Sequence, residues 1–290
     1  MNILLTGATG MCGRALLPLL LADERIDRIT AMCRDNAAAV LAERYGHNPK
    51  LRTLPANLAH PDTLPELPAA DALIHMAALQ GTVPVRLMRT VNTDATAVLI
   101  NRCENSGVKR FIFISSVNTY LKNKGTYGQS KLDAEKLLRE SSLPHTILRP
   151  ALIYGAPDDH GGLAKALNFI RAHGFMPVFG DGKALEQPIF IGDFARCLHE
   201  LIFEPDLTEP LFLGGADALP YNELILILAR AFDLPCRLIH LPVWPFKLAA
   251  RLFSMLNLPS PLSPEQIAHQ CEDLAFDISE QINLCVIFPN

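Results

Sequence analysis

The sequence predicts an α/β fold: a doubly wound parallel sheet with a smaller C-terminal lobe. Three observations carry that prediction. Short, continuously apolar runs alternate with helical stretches through the first half of the chain, a glycine-rich turn joins the first run to the first helix, and after Pro150 the pattern loosens into prolines and glycines. Continuous apolar runs are what strands buried on both faces need. Strands separated by helices imply right-handed crossovers into a parallel sheet.

Taken in order, residues 2–5, 29–33, 51–54, 72–76, 111–115 and 146–148 read as strands. Residues 14–22, 37–44, part of 85–106 and 131–140 read as the helices between them, with Pro18 expected to kink the first. Residues 188–191 and 211–213 add two further strands around a helix over 194–203. The predicted division places residues 1–155 in a dinucleotide-type domain to which 186–213 return, and assigns 156–185 and 214–290 to the small lobe.

Composition narrows the function classes. Of 290 residues 49% are hydrophobic and 19% charged, which excludes a disordered chain. Set against 30 acidic residues, 26 basic ones leave a net charge of −4 and no field favouring nucleic acid or an anionic membrane. Seven cysteines, an odd number without a C-x-x-C pair, argue against a zinc site and for a reducing compartment, so the expected location is cytoplasmic. The apolar run over residues 15–22 is too short to span a bilayer. A small-molecule partner is the expectation, without nucleic acid or stable membrane insertion; a homodimer stays open.

The first strand runs straight into Thr6-Gly7-Ala8-Thr9-Gly10-Met11-Cys12-Gly13 and then a helix. In such a G-x-x-G-x-x-G turn Gly7 permits the tight bend, Gly10 lets a pyrophosphate approach the backbone, and Gly13 allows helix and strand to pack closely. The helix start offers free N–H groups to the phosphates. Thr9 and Met11, beside Gly10, belong to the same cofactor loop. This is the signature of a Rossmann-type dinucleotide site. At the end of the second strand, where an acidic residue would hold the ribose of NAD, stand Cys33 and Arg34. A guanidinium pairs with a 2′-phosphate, so the predicted cofactor is NADP, with NAD the alternative because Asp35 follows.

Ser115-Ser116 closes the fifth strand, and Tyr127 and Lys131 form a Tyr-x-x-x-Lys pair on one helix face. Holding a tyrosinate at neutral pH requires about 4 kcal/mol, much of which a lysine ammonium one turn away supplies. A serine hydroxyl at the strand end can then hold a substrate oxygen while Tyr127 moves the proton.

With these motifs the sequence resembles the extended short-chain dehydrogenase/reductase family, also described as NAD-dependent epimerases/dehydratases. The resemblance rests on residues 6–13, His75-Met76-Ala77-Ala78, residues 91–96, 108–116, Tyr127–Lys131, Leu148-Arg149-Pro150 and residues 191–195. It implies a Rossmann sheet with a C-terminal substrate lobe and a catalytic trio of Ser116, Tyr127 and Lys131, Lys131 also gripping the nicotinamide ribose. It further implies that Ala77 and Ala78 line the cofactor groove and that Asn92 helps shape the site. Where the family often has Gly-Asp-Leu with the Asp on adenine, this chain has Ala56-Asn57-Leu58, and Asn57 can still hydrogen-bond the base. The closing segment from Asp277 to Asn290 resembles the family's but stops early.

Other residues read as structural. His75 is expected to be packed and hydrogen-bonded, Asp193 to cap a helix, and Arg149 either to touch a substrate phosphate or to form an ion pair. Asp158, Asp159 and His160 are adjacent loop residues to which no metal is assigned. The amphipathic stretch 244–256 is read as a lid over the pocket before a membrane-surface helix. The leading functional expectation is an NAD(P)-dependent oxidoreductase acting on a small carbonyl or alcohol, since Ser116 and Tyr127 are only 11 residues apart and leave little loop to embrace a sugar nucleotide. A nucleotide-sugar epimerase or dehydratase is the first alternative. A non-catalytic dinucleotide sensor or assembly factor is the second, and has no need of the trio.

Overall fold

Ile3, Leu4 and Leu5 have no polar group to offer water, and all three are buried at the centre of a parallel sheet. The computed structural model describes residues 1–81, 83–156, 161–207, 209–246, 270–279 and 281. In chain order β1 (Asn2–Thr6), α1 (Met11–Ala22), β2 (Arg28–Cys33), α2 (Asp35–Tyr45) and β3 (Leu51–Pro55) come first. There follow β4 (Ala72–His75), α3 (Val85–Arg89), a π-helical turn over Thr90–Asp94, and α4 (Ala95–Ser106). β5 (Phe111–Ile114) leads through a 3-10 turn (Val117–Tyr120) into α5 (Gly125–Arg139) and β6 (His145–Pro150).

Beyond β6 the elements shorten. They are β7 (Ile153–Tyr154), α6 (Gly162–His173), β8 (Phe175–Phe179), β9 (Leu185–Glu186), β10 (Ile189–Phe190), α7 (Ile191–Leu201) and β11 (Leu211–Leu213). Last among the described elements of five or more residues are α8 (Tyr221–Ala231) and β13 (Arg237–Leu241), preceded by the short β12 (Leu219–Pro220).

Seven strands form one Rossmann-type parallel sheet in the order β11-β6-β5-β4-β1-β2-β3. One face is covered by α1 and α7 through Leu16, Leu17, Leu20, Phe194 and Leu198. The other is covered by α4 and α5 through Leu99, Cys103, Ala134 and Leu138. The chain leaves β1 toward β2 and β3, then crosses back to β4 on the opposite side. Between β1 and β4 the order reverses, which opens a crevice at the carboxyl ends of those strands.

Three differences from the sequence-based expectations concern element ends. α1 begins at Met11, three residues before the predicted start, because the glycine turn itself supplies its cap; it then runs on through Pro18 to Ala22. α5 begins at Gly125, so Tyr127 lies in its first turn. Of the predicted strand over 188–191 only Ile189–Phe190 is extended, pairing with β7 outside the main sheet, and Ile191 opens α7.

Away from the sheet, α6 and α8 pack through Ala166, Ile170, Ile225 and Ala229, and β8 pairs with β13 in parallel. Residues 270–279 and 281 return across both parts. Leu274 bridges Glu186, the Gln281 amide bonds both the N–H and the C=O of Gly214, and the Glu272 carboxylate accepts from the Lys122 N–H at 2.8 Å. The candidate metal trio 158–160 lies outside the described residues, as do most of the amphipathic stretch 244–256 and nearly all of the closing segment after Ser279. Among the described residues no helix is long and apolar enough to cross a membrane, and no cluster of His, Cys, Asp and Glu is arranged to hold a metal.

Candidate active site

The turn after β1 is shaped by contacts that exclude side chains. Gly7 has φ +78°, and a Cβ there would lie 2.8 Å from the Ala77 nitrogen. At Gly13 a Cβ would lie 2.2 Å from the Gly7 carbonyl oxygen. Gly10 is different: it is exposed, its N–H bonds the Gly7 oxygen at 2.9 Å, and it caps α1 without any side chain. The first turn of α1 therefore presents bare backbone N–H groups at the crevice, the arrangement that accepts a pyrophosphate. Arg14 braces the loop by donating to the Thr9 carbonyl at 2.8 Å, and Thr9 and Met11 are both half-buried beside it. Burial pushes the Cys12 thiol up to about 12, so it stays protonated.

One strand over, the Ala56 N–H bonds the Cys33 carbonyl and sets the ends of β2 and β3 side by side. Cys33 is buried, whereas Arg34 is exposed at the start of α2 and makes no side-chain cap bond to that helix. Asn57 turns the chain through its Oδ1, which accepts from the Ala59 N–H at 3.1 Å, and Leu58 packs on the core. Arg34 and Asn57 thus flank one end of the crevice.

At the other wall His75 is fully buried. Thr96 donates its one hydroxyl proton to the Asn92 carbonyl, so its oxygen accepts from His75 Nε2–H at 2.9 Å. Nδ1 is then the acceptor for the Thr6 hydroxyl at 2.6 Å, and Thr6 accepts in turn from the Ala77 N–H. Burial, with the nearby Lys131 charge, pushes His75 down to about 3 and keeps it neutral. This chain of bonds holds Ala77 and Ala78 against the glycine turn. The Asn92 amide is occupied by the backbone of Leu79 and by the Ser130 hydroxyl, so Asn92 ties the crevice wall to α5 through its side chain.

Ser116 follows β5 in extended conformation, with its Oγ accepting from the Asn118 N–H. Tyr127 and Lys131 stand one turn apart on α5. What brings α5 onto the Ser116 turn is Gly128, where a Cβ would meet the Asn118 carbonyl oxygen at 2.7 Å. Tyr127 is half-buried, but Lys131 is 1% exposed, with Nζ 4.1 Å above the Phe113 ring. Phe113 is itself stacked on His75 at 5.6 Å. Burial pulls the Lys131 pKa down to about 7, and the Glu135 carboxylate works against that shift.

The sequence reading missed Glu135, although it extends the Tyr127–Lys131 spacing by one more turn. Its buried carboxylate accepts from the Ser115 hydroxyl at 2.5 Å and from the Arg149 guanidinium at 2.9 and 2.5 Å. Of the two readings of Arg149, the ion pair is the one formed. Asp193 corrects another expectation: it is the third residue of α7, paired with Arg196, while Phe190 occupies the cap. The helix starts earlier than its polar residue suggests because Ile191 is needed in the core.

A family model described as the NAD dependent epimerase/dehydratase family matches residues 3–210. The chain belongs to the NAD-dependent epimerase/dehydratase family. As a member it is 28% identical over 308 residues to a UDP-glucose 4-epimerase of Vibrio cholerae, covering 95% of this chain and 90% of that one. It is also 26% identical to a mitochondrial NADH dehydrogenase 1 alpha subcomplex subunit 9 of Arabidopsis thaliana, over 57% of this chain and 41% of that protein. In fold it resembles a UDP-glucuronic acid 4-epimerase from Bacillus cereus, solved with UDP-glucuronic acid and NAD, with a TM-score of 0.72 at 20% identity over 100% of this chain and 94% of that one.

Proposed function

We propose that this family member is a nucleotide-sugar epimerase or dehydratase working with a tightly held dinucleotide. The observation that carries the reading is the α5 face on which Tyr127 and Lys131 stand one turn apart, pressed onto the Ser116 turn at the carboxyl end of the sheet. The crevice fits NAD: backbone closes round Gly7 and Gly13 but leaves Gly10 and the start of α1 open. The Gly10 turn and Lys131 would hold the dinucleotide, whose nicotinamide would supply reversible hydride storage. The protein's part is proton movement and orientation. Ser116 Oγ holds the substrate oxygen, the Tyr127 hydroxyl exchanges its proton, and Lys131 holds the ribose and favours the tyrosinate. Thr9, Met11, Ala77 and Ala78 line the groove, Asn92 holds its wall, and Asn57 and Leu58 receive the adenine end.

Support for a nucleotide sugar over a small free carbonyl comes from the UDP-glucose 4-epimerase similarity, which runs nearly the full length of both chains. The short span between Ser116 and Tyr127 does not oppose it, because residues 270–279 reach that loop through Glu272 and Lys122 and can help enclose a larger substrate. In this reading residues 156–185 and 214–290 form the substrate side, and 1–155 with 186–213 the cofactor side. NADP is the finer cofactor reading, resting on Arg34 with no acid at Cys33.

The test is to supply NAD with UDP- and dTDP-hexoses and follow the sugar by NMR. The expected result is C4 inversion or dehydration without net NADH, with Tyr127→Phe slowing turnover about 10²–10⁴-fold while cofactor affinity is kept. Stoichiometric consumption of cofactor with a small alcohol, and no sugar conversion, would overturn it.

A further inference from the structure

Lys131 sits where a cation is costly: 1% exposed, with an aromatic ring beneath it and neutral His75 behind that ring. From β6 a second buried cation, Arg149, reaches the same region and lies 4.7 Å over the Tyr120 ring. Glu135 is the anion the two share. It stands one turn after Lys131 on α5, is 1% exposed, and has both carboxylate oxygens occupied. Its three bonds join α5 to the last residue before Ser116 and to the carboxyl end of β6. The charged and titratable groups around Lys131 are therefore Glu135 and Tyr127 on α5, His75 on β4, and Arg149 on β6 with Tyr120 beside it.

We propose that Glu135 is a positioning residue for this reaction, supplying the counter-charge of the Lys131 ammonium and, through Ser115 and Arg149, locking α5 to the strand end that carries Ser116. The proposal rests on the role given above to Lys131 and adds a residue to it. An Arg–Glu pair that only held the fold would serve equally well elsewhere on the β6 flank. Here removal of the carboxylate would leave the Arg149 guanidinium and the Lys131 ammonium buried without their anion.

The test separates charge from shape. Glu135→Gln keeps the size and one acceptor oxygen but removes the charge; Glu135→Asp keeps the charge but shortens the reach. NADH affinity is measured by fluorescence from about pH 5 to about pH 9, which brackets both midpoints. Because the cationic lysine grips the ribose, affinity falls as pH rises through its pKa, and a lost counter-charge moves that fall to lower pH. Glu135→Gln is expected to bind NADH about tenfold more weakly than wild type at pH near 8, a shift of about one pKa unit. Glu135→Asp is expected to keep the wild-type midpoint. If Gln matches wild type and Asp does not, the role is purely steric and the proposal fails. Should Glu135→Gln not fold, Arg149→Gln leaves the carboxylate to Lys131 alone and must move the midpoint to higher pH; an unmoved midpoint then overturns the proposal. Lys131→Met is the control: if it leaves the wild-type pH profile intact, the assignment of Lys131 itself is wrong. If it flattens the profile while Glu135→Gln does not move it, only the present proposal falls.

Discussion

The turn after β1 and the cluster at the end of β5 lie along the same edge of one sheet but are made of opposite materials. The turn works by absence: Gly7 and Gly13 leave no room for a side chain, and the groups aimed at the crevice are backbone N–H. The cluster works by buried side chains, with Ser115 just after β5, Lys131 and Glu135 from α5, and Arg149 from β6. A site built of backbone tolerates no added atom yet asks little of pH. A site built of buried charge tolerates small changes of shape and answers strongly to pH.

The largest effect that would sharpen this contrast is expected at Gly13. A Cβ there meets Gly7 and Ala8 backbone at 2.2 and 2.7 Å, which no rotamer relieves. Gly13→Val should cost about 3 kcal/mol or more in stability and abolish dinucleotide binding. A Cβ at Gly10 meets only the Gly7 oxygen, at 3.2 Å, so Gly10→Val should fold and still lose the cofactor, since its side chain would fill the proposed pyrophosphate site. Thermal melting and calorimetry separate the two outcomes. If both variants melt alike and both bind, the turn is not a phosphate site.

Next in size is Lys131→Met, expected to raise stability at neutral pH while damaging cofactor binding. The native pKa of about 7 lies below the ordinary 10.5. Between those values the unfolded chain holds the proton that the native protein has released, so stability rises with pH across that window. Replacing the lysine removes that slope and a cost of at most about 4 kcal/mol at neutral pH. Melting temperatures of the two proteins, compared from neutral pH upward, should converge. A parallel pair of curves would show that the buried ammonium carries no such cost.

The same contrast explains what the sequence could and could not show. The strands are runs of Ile, Leu and Phe long enough to be seen, and the glycine spacing is a local pattern, so the fold and the tight turn after β1 were legible. The start of α5 was not. Gly125, Thr126 and Gly128 are poor helix formers, and that turn is helical because Gly128 packs on the Asn118 carbonyl. Nor could Glu135 be paired with Arg149 from spacing alone, since only the β5–β6 pairing brings β6 beside the helix that follows β5.

His75 gives a smaller effect, on the acid side. Its native pKa of about 3 lies below the ordinary 6.5, so as pH falls from 6.5 toward 3 the unfolded chain takes up a proton that the native protein refuses. Stability should fall with pH in that window. In His75→Gln the fall should flatten, while stability at neutral pH drops by about 1–3 kcal/mol for the lost Thr6 or Thr96 bond. Unchanged acid dependence would place the acid-sensitive group elsewhere.

The smallest effect is expected one strand over, at the exposed Arg34 between β2 and α2. Its backbone oxygen already receives the Ala37 and Ala38 N–H groups at 2.9 and 3.1 Å, and its exposed side chain gives nothing to the helix cap. Arg34→Ala should therefore leave folding unchanged and act only on what the guanidinium would touch. A 2′-phosphate bound by an exposed arginine loses about tenfold in affinity with that contact, whereas a bare ribose hydroxyl loses almost nothing. Titrating NADPH and NADH against both proteins reads the difference directly. If wild type favours NADH and the variant weakens both cofactors equally, Arg34 is a solvated cation. The acceptor for the ribose would then be Asp35, in the first turn of α2.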